Sequence, residues 1–230
     1  MSKHAKRAAH RTARPPDQTA EEGRSLAFER IVFFSDAVFA IAVTLLAVDI
    51  RLPEIIGNSV GADAMDALLH DFLPRVGFYM LSFVVIASYW MAHHRHFRYI
   101  RRYDHSLIML NVLFLLCVAF IPVPTNGLGA YGNEPFAVVI YAVTVGLSSL
   151  FQTAMWWHAT HNHHLVDADL SRDVIRYNMA RTSATTAYFF ATAVLAFFVS
   201  PLLIEFAWIG VFIAMRVIVS LYRDRLGEED

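Results

Sequence analysis

The chain has 230 residues, of which 57% are hydrophobic and 17% charged, and its net charge is −1. A soluble domain is about a quarter charged, so the composition excludes an ordinary soluble fold. The near-neutral balance gives no reason to expect a nucleic-acid partner.

The first 28 residues are basic and polar, with Pro15-Pro16 and no apolar core. They do not read as a signal peptide, and residues 1–28 are expected to form a disordered cytoplasmic tail. The first apolar run follows, RIVFFSDAVFAIAVTLLAVDI, and predicts a membrane span over Ile31–Ile50. About 20 apolar residues cross the ~30 Å of bilayer hydrocarbon. Asp36 lies inside this run. An acid there is costly unless it meets a partner or a water-filled path, so it marks a candidate functional site.

Pro53 ends the first helix, and the outer loop to Asp71 carries Glu54, Asp63 and Asp66. A second span is predicted over Phe72–Ala92, closing on WMAHHRHF, and a third over Leu107–Val123, which holds Asn111 and Cys117. Cys117 is the only cysteine, so no intrachain disulfide exists. The segment IPVPTNGLGAYGNEP is rich in Pro and Gly and predicts an outer loop. The fourth span, Phe136–Trp157, carries Gly146, Ser148 and Ser149, small residues that suit close helix packing. The fifth, Ala184–Ser200, meets the sixth, Leu202–Leu221, at a tight Ser200-Pro201 hairpin. The domain plan is thus the tail, one six-helix transmembrane domain over 29–222, and a cytoplasmic tail over 223–230.

Charge placement agrees with this plan. Of the 19 Lys and Arg residues, 17 fall on one side of the predicted spans, leaving only Arg51 and Arg75 for the other. The positive-inside rule then makes both termini cytoplasmic.

Helical geometry sorts the first span. At 100° per residue Phe34, Ile41, Thr44, Leu45 and Val48 share one stripe, while Ser35 and Asp36 point about 120–140° away from Ile41. If the stripe lined a pore, Asp36 would turn back into the protein and need a partner. Arg30, Trp90, His93, His94 and Asn111 are the candidates, and a network of Arg30, Ser35, Asp36, one of the two histidines and Asn111 is expected.

The residues R-x-x-x-F-S-D-x-x-F-A-I-x-x-T-L-L, from Arg30 to Leu46, resemble the signature of the transmembrane protein 175 family of lysosomal potassium channels and their shorter bacterial homologues. The resemblance implies an all-α membrane protein in which the first helix of each subunit lines a central pore. With one six-span repeat the chain is similar to the bacterial form, a homotetramer of the bacterial inner membrane. Ile41, Leu45 and Val48 would form the hydrophobic gate, and Thr44 would occupy the selectivity position. Phe34, Ser35 and Asp36 would be the FSD motif that packs the pore helices. The implied function is passive, potassium-selective ion transport, with potassium ions in the pore, lipid and other monovalent cations as partners, and no cofactor. The competing reading is a proton-coupled cation transporter that uses Asp36 and the membrane-end histidines.

No nucleophile–base arrangement or nucleotide-binding loop is present, so no enzyme is expected. His158, His161, His163 and His164 in WHATHNHH could bind zinc together with Asp167. The preferred reading is a polar belt beside Trp156 and Trp157 at headgroup depth, and no metal site is assigned.

Overall fold

The computed structural model describes residues 16–48 and 72–208, together with positions 50, 65, 70, 210 and 220. Helix α1 spans Pro16–Val48, α2 Leu73–Tyr99, α3 His105–Phe120, α4 Pro122–Tyr131, α5 Pro135–Thr160 and α6 Arg172–Leu195. A 3-10 turn at His161–His163 follows α5, and residues 201–208 are again helical. Within the described residues four stretches are long and apolar enough to cross a membrane: Ser25–Val48, Leu73–Tyr99, His105–Tyr131 and Pro135–His163.

Several boundaries differ from the sequence reading. The predicted tail is helical from Pro16 onward, because α1 runs without a break into the first span. Proline is favourable at a helix start, where its missing N–H is not needed. The predicted outer loop after Ile121 is largely helix α4. Pro122 and Pro124 cannot donate to the preceding turn, so they end α3 and restart the chain as a second helix. Helix α6 begins twelve residues before the predicted fifth span, with Ser171 capping it (Oγ accepts from the Asp173 N–H, 3.2 Å), and stops at Leu195. Its polar first half keeps it out of the four membrane-capable stretches. Most of the predicted sixth span lies outside the described residues.

The main core is built from Phe39, Ala42 and Leu46 of α1, Ile86 and Tyr89 of α2, Phe114 and Val118 of α3, and Tyr141 and Val145 of α5. Trp208 closes it against Tyr141, with ring centroids 4.7 Å apart. Polar side chains inside the bundle bond across helices. Thr125 of α4 donates to Ser82 of α2 (2.8 Å), which meets the Tyr141 hydroxyl of α5 (3.1 Å). The small-residue face of α5 does pack closely: Ser149 Oγ donates to the Thr182 carbonyl of α6 at 2.9 Å, and a Cβ on Gly146 would touch the Phe190 ring at 3.4 Å. Ser148 instead bonds within its own helix, to the Thr144 carbonyl.

A second, smaller core lies at the other end of α5. Phe97, Ile100, Leu107, Met155, Ala159, Leu165 and Val166 pack there. There the α2–α3 connection meets the segment after α5, with an isolated antiparallel bridge between Ile100 and Val166.

Candidate functional site

Helix α1 packs against α2, α3 and α4. Its buried seam is Ser35, Phe39, Ala42 and Leu46, spaced four, three and four residues apart as one helix face requires. Ile41 (58% exposed), Leu45 (44%) and Val48 (70%) lie off this seam, as do Phe34 and Thr44. The stripe found by the helical wheel is therefore left uncovered by the described helices. Thr44 is its one hydroxyl, and its O–H donates to the Ile41 carbonyl at 2.9 Å. The lone pairs of that oxygen remain open for a cation or water.

On the buried side, three residues from three helices form a directed chain. Ser35 donates its only proton to the Ile31 carbonyl (2.9 Å), so its oxygen must accept from elsewhere. Asn111 of α3 supplies that donor through Nδ2 (3.0 Å). This fixes the amide with Oδ1 toward His93 of α2, which lies 3.0 Å away through Nε2. The network thereby assigns the tautomer, since His93 must carry its proton on Nε2 to donate to Asn111. All three side chains are at most 1% exposed. The His93 ring is held on both faces, by Phe97 (centroids 4.3 Å) and Phe114 (5.8 Å), with Phe39 against its edge.

Asp36 does not join this chain. It accepts from Trp90 Nε1 at 2.9 Å. The single expected network is thus two separate contacts, because consecutive helical residues diverge by 100° and cannot both face the α2–α3 groove. Arg30 lies on an exposed part of α1 and, among the described residues, belongs to neither contact. His94 is exposed and stacks on Trp90 at 5.8 Å. The Asp36–Trp90 bond is partly exposed, so Asp36→Ala and Trp90→Phe should each cost only about 1 kcal/mol. The double variant should cost no more than the larger single one, because both remove the same bond. Thermal unfolding of the purified protein measures this, and additive losses would show that the two side chains act apart.

Sequence reasoning missed Asp104. It caps α3 by accepting the Leu107 N–H at 2.8 Å and also meets His158 (2.8 Å) and His164 (3.1 Å). An Asp directly before the run HSLIML is a readable cap signal. Burial works against the ionised carboxyl, but the Leu107 N–H and the two ring nitrogens outweigh it and hold its pKa below the usual carboxylate value. The His158–His161–Asp167 grouping, the less favoured reading of that segment, does not form. Asp167 pairs with Arg101 at 2.9 Å, and His161 lies against the Trp157 ring.

Apolar membrane-length helices, with one acid-bearing helix clamped by a buried polar chain and uncovered along its adjacent stripe, define a helical multi-pass membrane protein. The chain belongs to the TMEM175 family, which is a family of ion channels and not of enzymes. Residues 30–122 match the family described as "Endosomal/lysosomal potassium channel TMEM175". A potassium channel of Streptomyces collinus is 36% identical over 180 residues, covering 75% of this chain and 84% of the relative. The human endosomal/lysosomal proton channel TMEM175 is 25% identical over 191 residues, and the match covers 81% of this chain but 37% of that protein. Among solved structures, the crystal structure of a lysosomal potassium-selective channel TMEM175 homolog from Chamaesiphon minutus superimposes with a TM-score of 0.69 at 28% identity, covering 85% of this chain and 98% of that one.

Proposed function

We propose that the chain is a passive potassium-selective channel whose pore is lined by α1 from four subunits. The observation that carries this reading is the uncovered stripe of Ile41, Thr44, Leu45 and Val48 beside a seam that is fully clamped. Four such stripes around one axis stack apolar rings at Ile41, Leu45 and Val48, a neck that closes by dewetting. A ring of Thr44 hydroxyls, each with its proton already given to a backbone carbonyl, offers neutral oxygens in place of hydration water. The Ser35–Asn111–His93 chain then fixes the rotation of α1 and keeps the stripe on the axis. Phe34, next to Ser35 and exposed in one chain, packs against the neighbouring subunit. The remaining helices, with Ala184–Ser200 and Leu202–Leu221 as the fifth and sixth spans, surround the pore in a bacterial inner membrane with both termini cytoplasmic. Residues 29–222 form the channel domain.

The names of the relatives include potassium channels and proton channels, so the test reads both ions. In planar bilayers the purified protein should give unitary currents that reverse near the potassium equilibrium potential and do not follow an imposed proton gradient. Small, proton-coupled fluxes without unitary events would overturn the reading. The mass of the detergent-solubilised complex should be four times 26.0 kDa. Thr44→Ala should keep conductance within about threefold while the potassium-over-sodium permeability ratio falls toward unity, since the change removes an oxygen and narrows nothing. An unchanged ratio would remove Thr44 from the selective path.

A further inference from the structure

Asp104, His158 and His164 come from three separate parts of the chain. Asp104 ends the α2–α3 connection, His158 lies in the last turn of α5, and His164 follows the 3-10 turn. His158 Nε2 lies 2.8 and 3.1 Å from the two Asp104 oxygens, and His164 Nε2 lies 3.1 Å from Oδ2. The three ligand atoms fall within 4.8 Å of one another. The backbone goes out of its way to achieve this. Asn162 and His163 both adopt φ of 52°, which reverses the chain after α5 and returns His164 to Asp104. Asparagine enters the left-handed region readily, whereas His163 there costs roughly 1–2 kcal/mol, so the surroundings hold the turn. They do so through Leu165, whose N–H bonds the Ala159 carbonyl (2.9 Å) and whose carbonyl accepts from the Arg101 N–H (2.9 Å).

We propose that Asp104, His158 and His164 bind a zinc ion that clamps the α2–α3 connection to the segment after α5. Two imidazoles and a carboxylate suit zinc rather than magnesium or calcium, which favour oxygen ligands alone. Three protein ligands leave the fourth tetrahedral position to water. Bond lengths of about 2.0–2.1 Å place tetrahedral ligand atoms roughly 3.3 Å apart, so the two histidine–Asp104 separations of 2.8 and 3.1 Å need to spread by only a few tenths of an ångström, with the two ring nitrogens within 4.8 Å of each other. Arg101 with Asp167, and the Ile100–Val166 bridge, hold the two segments from the outside. Asn111 stands seven residues along α3 from Asp104, so the clamp would also steady the helix that holds Ser35.

The test is calorimetric titration of zinc chloride into the untagged, chelator-stripped full chain in detergent, with thermal unfolding recorded at each zinc concentration. One zinc per chain is expected, with unfolding moved to higher temperature. His164→Ala, at an exposed position, should weaken binding at least about 10-fold. So should Asp104→Asn, which keeps an oxygen to cap α3. His161→Ala and His163→Ala should bind as the unmodified chain does, and magnesium and calcium should give no saturable heat. The absence of saturable zinc binding, full affinity in His164→Ala, or a loss that follows His161 or His163 would overturn the assignment. Matched circular dichroism of the variants separates lost ligation from lost fold.

Discussion

Ile41→Asn should convert a resting channel into a leak, raising the potassium current at rest at least about 10-fold, the equivalent of 1.4 kcal/mol removed from the barrier. The side chain lies on the uncovered stripe of α1 and contributes little to the chain's own core, so folding should be spared. Asparagine is close to isoleucine in length but brings an amide that holds water. A neck that excludes ions by staying dry loses that property when one ring becomes wettable. Ile41→Phe is the steric counterpart and should lower the current by filling the same ring. Liposome flux and bilayer recording measure both variants. Equal resting currents in the two variants and the unmodified protein would place the constriction elsewhere on α1.

Asn111→Ala should produce the largest loss of stability among single substitutions in the buried polar chain, about 2–4 kcal/mol. The lost side chain leaves a void and strips the buried His93 N–H of its acceptor. The incoming bond to Ser35 disappears as well, so α1 loses its polar tie to α3 and keeps only apolar packing such as Phe39 on Phe114. Assembly should therefore fail before permeation is altered: less intact complex after heating, with normal unitary conductance in the channels that remain. His93→Phe combined with Asn111→Leu should recover much of the loss, since removing both partners leaves no orphaned donor. The new phenyl ring would sit among Phe39, Phe97 and Phe114. Size-exclusion profiles after graded heating decide this. A double variant worse than Asn111→Ala would mean that His93 serves something other than this bond.

The two changes separate the faces of one helix. Polar substitution on the stripe should alter permeation and spare assembly, whereas substitution toward the seam should do the reverse. Ser35 and Ile41 differ by six positions, yet their environments differ as completely as a core differs from a surface.

How much of this the sequence carried follows from the physics of each feature. Periodicity and hydropathy are local, so the apolar runs of α1, α2, α3 and α5 and the divergence of Ser35 from Ile41 were legible from spacing alone. The motif from Arg30 to Leu46 was legible because its residues lie on a single helix. The helical character of Pro122–Tyr131 was hidden, because Pro and Gly read as loop formers until the bond from Thr125 to Ser82, which in turn meets Tyr141, supplies the missing favourable term. The start of α6 was hidden for a related reason: hydropathy locates lipid-facing turns and is blind to the polar ones that precede them.

Pairing across helices was the part that only tertiary structure decided. The sequence by itself determined that Asp36 needs a partner and that Asn111 and a histidine needs satisfying, since burial of a polar group carries that demand wherever it occurs. It could not choose Trp90 for Asp36, nor Asn111 as the link between Ser35 and His93, because those choices depend on how α1, α2 and α3 rotate against one another. The same holds for Asp104, His158 and His164. Their meeting depends on a backbone reversal at Asn162 and His163, and no spacing along the chain encodes it.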